Sequence, residues 1–400
     1  MPNAFDIAHQ QRPEVQGDLL WFPLHYMRGG TSTGIVLHEH LLPTDLTLRE
    51  ELIRHVMGVP QQGQTKGNRQ VSGLGRGPAT SNKVFIVAPD DGDKADIRST
   101  LAQLAADRSS IDWSVNCGNM SAALPLFAID TGLFKPRSPV THIRIYNTNT
   151  RVITDARLPY PYHLADIDGV VGSFPEVFLS LREPVGAKTG KLLPTGVRQE
   201  MIEGVPATCL DVAVPMVIMP ASAFGLNANE SPQVLAQDVN LIERLRTIWV
   251  KAGLAMGLRR SDGAPMSSED LANSETIPKV CLVGPGSTSG HLMVRYFTPQ
   301  QPHASMAVTG ACCLAAAALL PGTVAHEQAS GLAGFSGAIA EHSVRIEHPA
   351  GVIVATVNGC LQGDQAQIPW AAYQRSAQIL MRGMVPIYQA SDALKAALAS

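Results

Sequence analysis

Long hydrophobic runs, metal-type cysteine spacing and an excess of charge are what this sequence lacks. Its longest apolar run, Ala311 to Leu320, is about half of what a membrane span needs, so no part of the chain is expected to lie in a bilayer. Charged residues make up 16% of the chain and hydrophobic ones 45%, a balance that excludes a disordered or coiled-coil protein. The net charge of −3 gives no electrostatic case for nucleic acid as a partner. Six cysteines, at 117, 209, 281, 312, 313 and 360, form no CxxC pair, and adjacent Cys312 and Cys313 lack the spacing of a tetrahedral zinc site, so no metal is expected. The first twenty residues contain no apolar core of signal-peptide type. The compartment is therefore read as reducing and cytoplasmic, with free thiols.

What is present fits a globular chain of 400 residues, long enough for two domains. After a polar arm of about eighteen residues, Phe22 to Tyr26 reads as a strand running into Met27-Arg-Gly-Gly-Thr-Ser-Thr-Gly34. Gly30, Thr31, Ser32 and Arg28 there would suit a loop that approaches a carboxylate closely, although the glycines alone would serve a plain turn. Leu46 to Met57 has helical spacing. Gly63 to Gly77 is rich in Gly and Gln and carries Lys66, Arg69 and Arg76. Two phosphate motifs fail in this region. Gln64 stands where the Walker lysine belongs after Gly58 and Gly63, and Gly73-x-Gly75-x-Gly77 leads into a strand rather than a helix.

Two residues carry the chemical reading. Lys83 enters the apolar strand Lys83 to Ala88, where burial favours a neutral, basic amine, unless the side chain snorkels to solvent. Cys117, in Asn116-Cys117-Gly118-Asn119-Met120, stands at the mouth of a helix expected to run through Ala122, Leu126 and Ala128 to near Gly132; unpaired N–H groups there favour a thiolate or a bound carboxylate. Further on, His142–Tyr146 and Arg151–Leu158 read as paired strands, and Glu183 to Gly196, with Lys188 and Lys191, as the crossing between domains. The second half shows strands at Gly204–Asp211 and Val212–Met219 and a helix at Leu241–Leu254. Strands Lys279–Val283 and His291–Phe297 flank a turn with Ser287 and Thr288, and His303 precedes Thr309-Gly310-Ala311. Strands near 343–347, 351–357 and 377–383 and a short helix from Ser391 close the chain. Cys117-Gly118 and Thr309-Gly310 each lead into a small-residue helix, 309 − 117 = 192 residues apart. That echo suggests two similar halves, each aiming a helix end at a carboxylate.

Taken in order, Met27-Arg-Gly-Gly-Thr-Ser, Ser81-Asn-Lys83-Val, Asn116-Cys-Gly-Asn-Met-Ser-Ala-Ala, Thr189-Gly-Lys-Leu-Leu-Pro-Thr-Gly196, Asp211-Val-Ala-Val-Pro, and His303 with Thr309-Gly-Ala resemble the PrpF family. The resemblance implies a diaminopimelate epimerase-like fold, α/β (α+β), in two pseudo-symmetric domains, each a mixed sheet wrapped around a central helix. The domains would be 1–196 and 197–400, with the last strand able to return to the first, and the site between them. It also implies no metal or organic cofactor and a small unsaturated polycarboxylate as substrate, in a chain that could form homo-oligomers. Lys83 and Cys117 would transfer protons to move or re-form the C=C bond of a 2-methylaconitate-type acid. Alternatives are 4-oxalomesaconate tautomerisation and a non-catalytic accessory role beside an aconitase-like dehydratase. The chain departs from the family pattern at Thr33, Arg76, Pro78 and Val214, so the substrate is where it should differ most.

Overall fold

The computed structural model describes residues 11–77, 81–113, 116–260 and 262–399. The first ten residues of the polar arm, and Pro78 ahead of the Lys83 strand, lie outside the described residues. Two compact units are present: Met1–Leu179 with Arg375–Ser400, and Ser180–Gln374.

In the N-terminal unit, β1 (Leu19–Gly29) and β2 (Ser32–His38) form an antiparallel hairpin. After helix α1 (Leu46–Met57), β3 (Lys83–Pro89) joins β2 in parallel and β4 (Ile97–Leu104) pairs antiparallel with β3. The helical bounds read from the spacing of Leu48, Leu52, Ile53 and Val56 are those observed, with Asp45 accepting from Leu48 N as N-cap and Gly58 left-handed at the end. Two helices follow, α2 (Gly118–Ser121) and α3 (Ala123–Asp130), then the hairpin β5 (Val140–Asn147) and β6 (Val152–Pro159), with β5 parallel to β4. The single helix expected from Cys117 to Gly132 is interrupted at Ala122. Pro125 has no N–H to donate to the carbonyl of Ser121, which ends the regular ladder there.

Each face of this sheet has its own core. Leu24, Tyr26, Ile35, Leu37, Val84 and Ile86 pack outward with Leu52, Ile53, Val56 and Met57 of α1. Side chains alternate along a strand, so Met27, Val36, Lys83 and Phe85 face the other way, toward α2 and α3. In α3 every residue from Ala123 to Ile129 is buried, as a helix apolar on all sides must be.

The glycine-rich stretch before Lys83 is held by side-chain amides. Buried Gln70 donates to Met57 O (2.9 Å) and to Asn82 Oδ1 (2.8 Å), and accepts from Gly77 N (2.7 Å).

In the C-terminal unit, β7 (Val205–Val212) pairs antiparallel with β8 (Val214–Pro220), and β9 (Lys279–Pro285) joins β8 in parallel after helix α4 (Val239–Ala255). Next, β10 (Leu292–Thr298) is antiparallel to β9, helix α5 (Val308–Leu319) follows, and β11 (Ala340–His348) is parallel to β10 and antiparallel to β12 (Gly351–Gln362). The long β13 (Gln365–Ile387) pairs first with β12 and then, from Ala377, with β1. Helix α6 (Asp392–Leu398), capped by Ser391, packs Leu394 into the outer core of the N-terminal unit.

The domain crossing does not lie at Glu183–Gly196. The units divide at Leu179/Ser180, and that segment belongs to the C-terminal unit. Asp211 explains why. Its buried Oδ2 accepts from Lys188 N (2.9 Å), Thr189 N (2.8 Å) and Thr189 Oγ1 (2.9 Å), and its main chain exchanges bonds with Gly186 and Leu192. Burial holds this carboxyl above the usual carboxylate range despite the three donors. Among the described residues, no helix is long and apolar enough to cross a membrane, and no group of three or more His, Cys, Asp or Glu could hold a metal ion. Asp211→Ala should lower the unfolding free energy by about 2–4 kcal/mol, since three donors lose their acceptor inside the fold. A urea titration reads that loss, and trypsin should then cut at Lys188 or Lys191 in the otherwise native chain.

Candidate active site

The turn between β1 and β2 is Gly30-Thr31, with Gly30 at φ 54°, where glycine meets no Cβ penalty. Arg28 fastens this turn. Its Nη1 donates to Gly30 O (2.8 Å) and Ser376 O (3.1 Å), its Nη2 to Ser376 Oγ (3.3 Å), and its guanidinium lies 4.6 Å from the centre of the Phe174 ring. The cation that the sequence offers to a carboxylate is thus committed to main-chain carbonyls.

The helix start that carries Cys117 sits directly on the hairpin. A Cβ on Gly29 would come 2.5 Å from Asn119 O and 2.8 Å from Met120 Cα, and one on Gly30 would come 2.5 Å from Asn119 Oδ1. Asn119 Nδ2 closes the contact by donating to Thr31 Oγ1 (3.3 Å). Cys117 is the N-cap of α2, with no side-chain cap bond. Asn116 Oδ1 accepts from Cys117 N at 2.7 Å and Ser121 Oγ donates to Cys117 O at 2.9 Å, which pins the loop on both sides. The half-buried thiol reaches to 3.9 Å from the hydroxyl of buried Ser32. Gly118 is the first residue of α2, and Met120 is buried beneath it.

Lys83 reaches the same face. The parallel register Ile35↔Val84 sets Gly34 beside Lys83, and a Cβ on Gly34 would lie 2.6 Å from Lys83 O and 3.1 Å from Lys83 Cβ. Ser32 and Gly34, two apart on β2, share one face by alternation. Val84 and Ile86 belong to the outer core, so Lys83, only 5% exposed, points inward one strand from the hydroxyl that the Cys117 thiol touches. Arg76 lies elsewhere. Its guanidinium stands 4.9 Å from the centre of the Tyr26 ring, and Tyr26 packs in the outer core. Thr33, opposite Arg28 in the hairpin, alternates away from Ser32 and Gly34.

One cation escaped the sequence reading. Arg375, 9% exposed, donates from Nε to Asn119 Oδ1 at 2.8 Å, and its Cδ would lie 3.0 Å from a Cβ on Gly30. A charged residue inside an apolar strand, the signal that singled out Lys83, is also what Tyr373-Gln-Arg375-Ser-Ala377 displays.

In the C-terminal unit, Thr309, Gly310 and Ala311 lie in the first turn of α5, whose N-cap is Ala307, whereas Cys117 precedes its helix. The two helix mouths are therefore alike without matching residue for residue. Gly310 makes room for Tyr296, whose Cε2 would be 2.5 Å from a Cβ there. The His303 ring lies 5.8 Å from that of Tyr296, and its Nδ1 accepts from Ser305 N at 2.9 Å. Ser287 and Thr288 belong to a separate exposed turn. Ser287 N and Oγ both donate to Glu347 Oε1 at 2.8 Å.

Residues 20–388 match the family model described as PrpF protein. The chain is 32% identical over 374 residues to the 4-oxalomesaconate tautomerase of Pseudomonas putida, covering 91% of this chain and 96% of the relative. It is 30% identical over 398 residues to the 3-methylitaconate isomerase of Eubacterium barkeri, covering 93% and 99%. Among solved structures, a methylitaconate-delta-isomerase superposes with a TM-score of 0.78 at 27% identity, over 96% of this chain and 98% of that one. A hydroxyproline epimerase from Agrobacterium vitis superposes with a TM-score of 0.51 at 13% identity, over 97% and 100%. The latter likeness bears on the fold alone, which is of the epimerase type that the motifs imply.

Gly29→Ala should displace the start of α2 from the hairpin, costing about 1–3 kcal/mol of stability through overpacking. Because the thiol moves with it, kcat/KM should fall at least ~10-fold; thermal unfolding and steady-state kinetics on the same preparation check both.

Proposed function

From the premise that this chain belongs to the PrpF family and is an isomerase, we propose that it moves or re-forms the C=C bond of a small unsaturated di- or tricarboxylate by proton transfer between Lys83 and Cys117. The observation that carries this reading is the convergence of Lys83, Ser32 and the Cys117 thiol on one inner face of the sheet. The acids named for the relatives, 4-oxalomesaconate and 3-methylitaconate, have in common a double bond conjugated to a carboxylate.

Such an acid has an allylic proton made removable by that conjugation. The Lys83 amine, as the base, takes it and becomes an ammonium; the electron pair left on carbon spreads through the double bond into the carboxylate as a dienolate. The Cys117 thiol gives its proton to the far end of the allyl system, which sets the new double bond. Proton return from the Lys83 ammonium to the thiolate, through the Ser32 hydroxyl or water, restores both groups. Arg375, anchored on Asn119, brings a positive charge to the helix start that carries Cys117, which supports an anionic intermediate there.

A 2-methylaconitate-type acid is the first substrate to test, with 4-oxalomesaconate the second, favoured by the 32% identity to the Pseudomonas putida enzyme. Retention of both Lys83 and Cys117 speaks against a purely accessory role, because docking needs neither. Incubation with these acids or with trans-aconitate in heavy water, followed by proton NMR and ultraviolet absorbance, should show deuterium entering the acid as the alkene changes. Lys83→Ala and Cys117→Ala should each slow turnover at least ~100-fold, the usual scale of a lost acid–base group. Wild-type rates in both variants would remove their roles, and absence of exchange with every candidate acid would favour the accessory reading.

A further inference from the structure

Gln70 is held in a conformation that its residue type rarely adopts. Its φ is 54°, in the left-handed region that strains a residue with a Cβ, and only 2% of its surface is exposed. Such a residue persists only where its surroundings over-determine it. They do so here. Gln70 N donates to Asn68 Oδ1 (3.1 Å) and Gln70 O accepts from Gly73 N (3.2 Å), while its side-chain amide donates to Met57 O and Asn82 Oδ1 and accepts from Gly77 N. A Cβ on Gly75 would overlap Gln70 Nε2, so the stretch closes tightly around this one amide. Met57 is the last residue of α1, and its carbonyl, which has no partner inside the helix, accepts from Gln70 Nε2 and Gly75 N. Gln70 thus ties the end of α1 to the residue that precedes Lys83.

That residue, Asn82, is fully buried and is fixed on every polar atom of its amide and on its carbonyl. Its Oδ1 accepts the Gln70 bond, its Nδ2 donates to Gly77 O (3.0 Å), and its carbonyl accepts from Leu104 N (3.0 Å) and Gln103 Nε2 (3.0 Å). Gln103 is the residue opposite Lys83 in the register of β3 and β4. Consecutive residues of a strand send their side chains to opposite faces. Asn82 therefore turns to the face packed by α1, where Gln70 holds it, and Lys83 turns to the inner face that carries Ser32. Buried amides give direction as well as contact, because each donor and acceptor must meet its partner at bonding distance. A strand head anchored on one face in this way sets the line along which the lysine leaves the other.

We propose that Gln70 is a positioning residue for the proton transfer: acting through Asn82, it sets the direction in which the Lys83 amine enters the site. The inference rests on the reading of Lys83 as the base. Gln70 itself touches no reacting atom in this role. What it governs is the approach of the amine to the allylic proton, where a misplacement of about 1 Å lowers the rate by about 10²-fold. Holding the acid in the site requires none of these bonds, so the loss belongs in kcat rather than in KM.

Gln70→Met, which keeps the length of the side chain and removes its hydrogen bonds, tests this in the full-length protein. With trans-aconitate or a methylaconitate-type acid, kcat should fall at least ~10-fold while KM stays within ~2-fold of wild type. The decisive comparison is a double-mutant cycle in Lys83→Ala supplied with methylamine. A free amine is not carried by the strand, so adding Gln70→Met there should change the rescued rate by less than ~2-fold. A role confined to stability would lower the rescued rate as much as the wild-type one. Should Gln70→Met fail to fold, Gln70→Glu takes its place in the same cycle, since it has the same shape and retains the acceptor for Gly77 N while losing the donors to Met57 O and Asn82 Oδ1. An equal loss in both backgrounds, a loss confined to KM, or a wild-type kcat would each overturn the proposal. If Lys83→Ala is as active as wild type, or no amine restores it, base and positioner fall together. An inactive, rescuable Lys83→Ala beside a wild-type kcat in the Gln70 variant removes the positioner alone.

Discussion

Close seating of a helix start on a glycine hairpin is the constraint from which the candidate site follows. Gly29 and Gly30 have no room for a Cβ because Asn119 and Met120 occupy that space, and Gly34 has none because Lys83 does. Three missing side chains therefore bring a thiol, a hydroxyl and an amine to one face of one sheet. Any side chain at these positions would have to displace Asn119, Met120 or Lys83. The central helix holds this seat in place, since an all-apolar α3 has nowhere to lie except inside the unit.

The polar residues near this seat divide by what they hold. Arg28 secures the turn through Gly30 and Ser376, and Asn119 ties that turn to α2. Arg375 joins the same cluster from the last strand, so the chain's final segment helps to position residues near its beginning. Ahead of Lys83 the order is kept by neutral amides, Gln70 and Asn82, which fold the glycine-rich stretch before the strand head.

Much of this was legible before the structure. Helix α1 has its expected bounds because its apolar spacing, its Asp45 cap and Gly58 agree with one another. The hairpin of β5 and β6 was legible for the same reason. Less local facts were hidden. The Glu183–Gly196 segment looks like a linker by composition, and only the buried Asp211 carboxylate, distant in sequence, reveals what it folds onto. Pro125 in the central helix and Arg375 in the last strand were visible as letters but outweighed by their apolar surroundings. The internal repeat is faint at the helix mouths, where Cys117 and Thr309 differ in both chemistry and helical position. It is clearer in strands β3 and β9, whose apolar middles resemble those of any buried strand and draw little notice.

The central claim is that the Lys83 amine itself moves the substrate's proton, and rescue of Lys83→Ala by small primary amines tests it most directly. Turnover of trans-aconitate or a methylaconitate-type acid by the folded variant should rise with added methylamine or ethylamine, saturate, and follow the basicity of the amine. Full activity of Lys83→Ala without any amine, or a folded variant that no amine restores, would contradict the account.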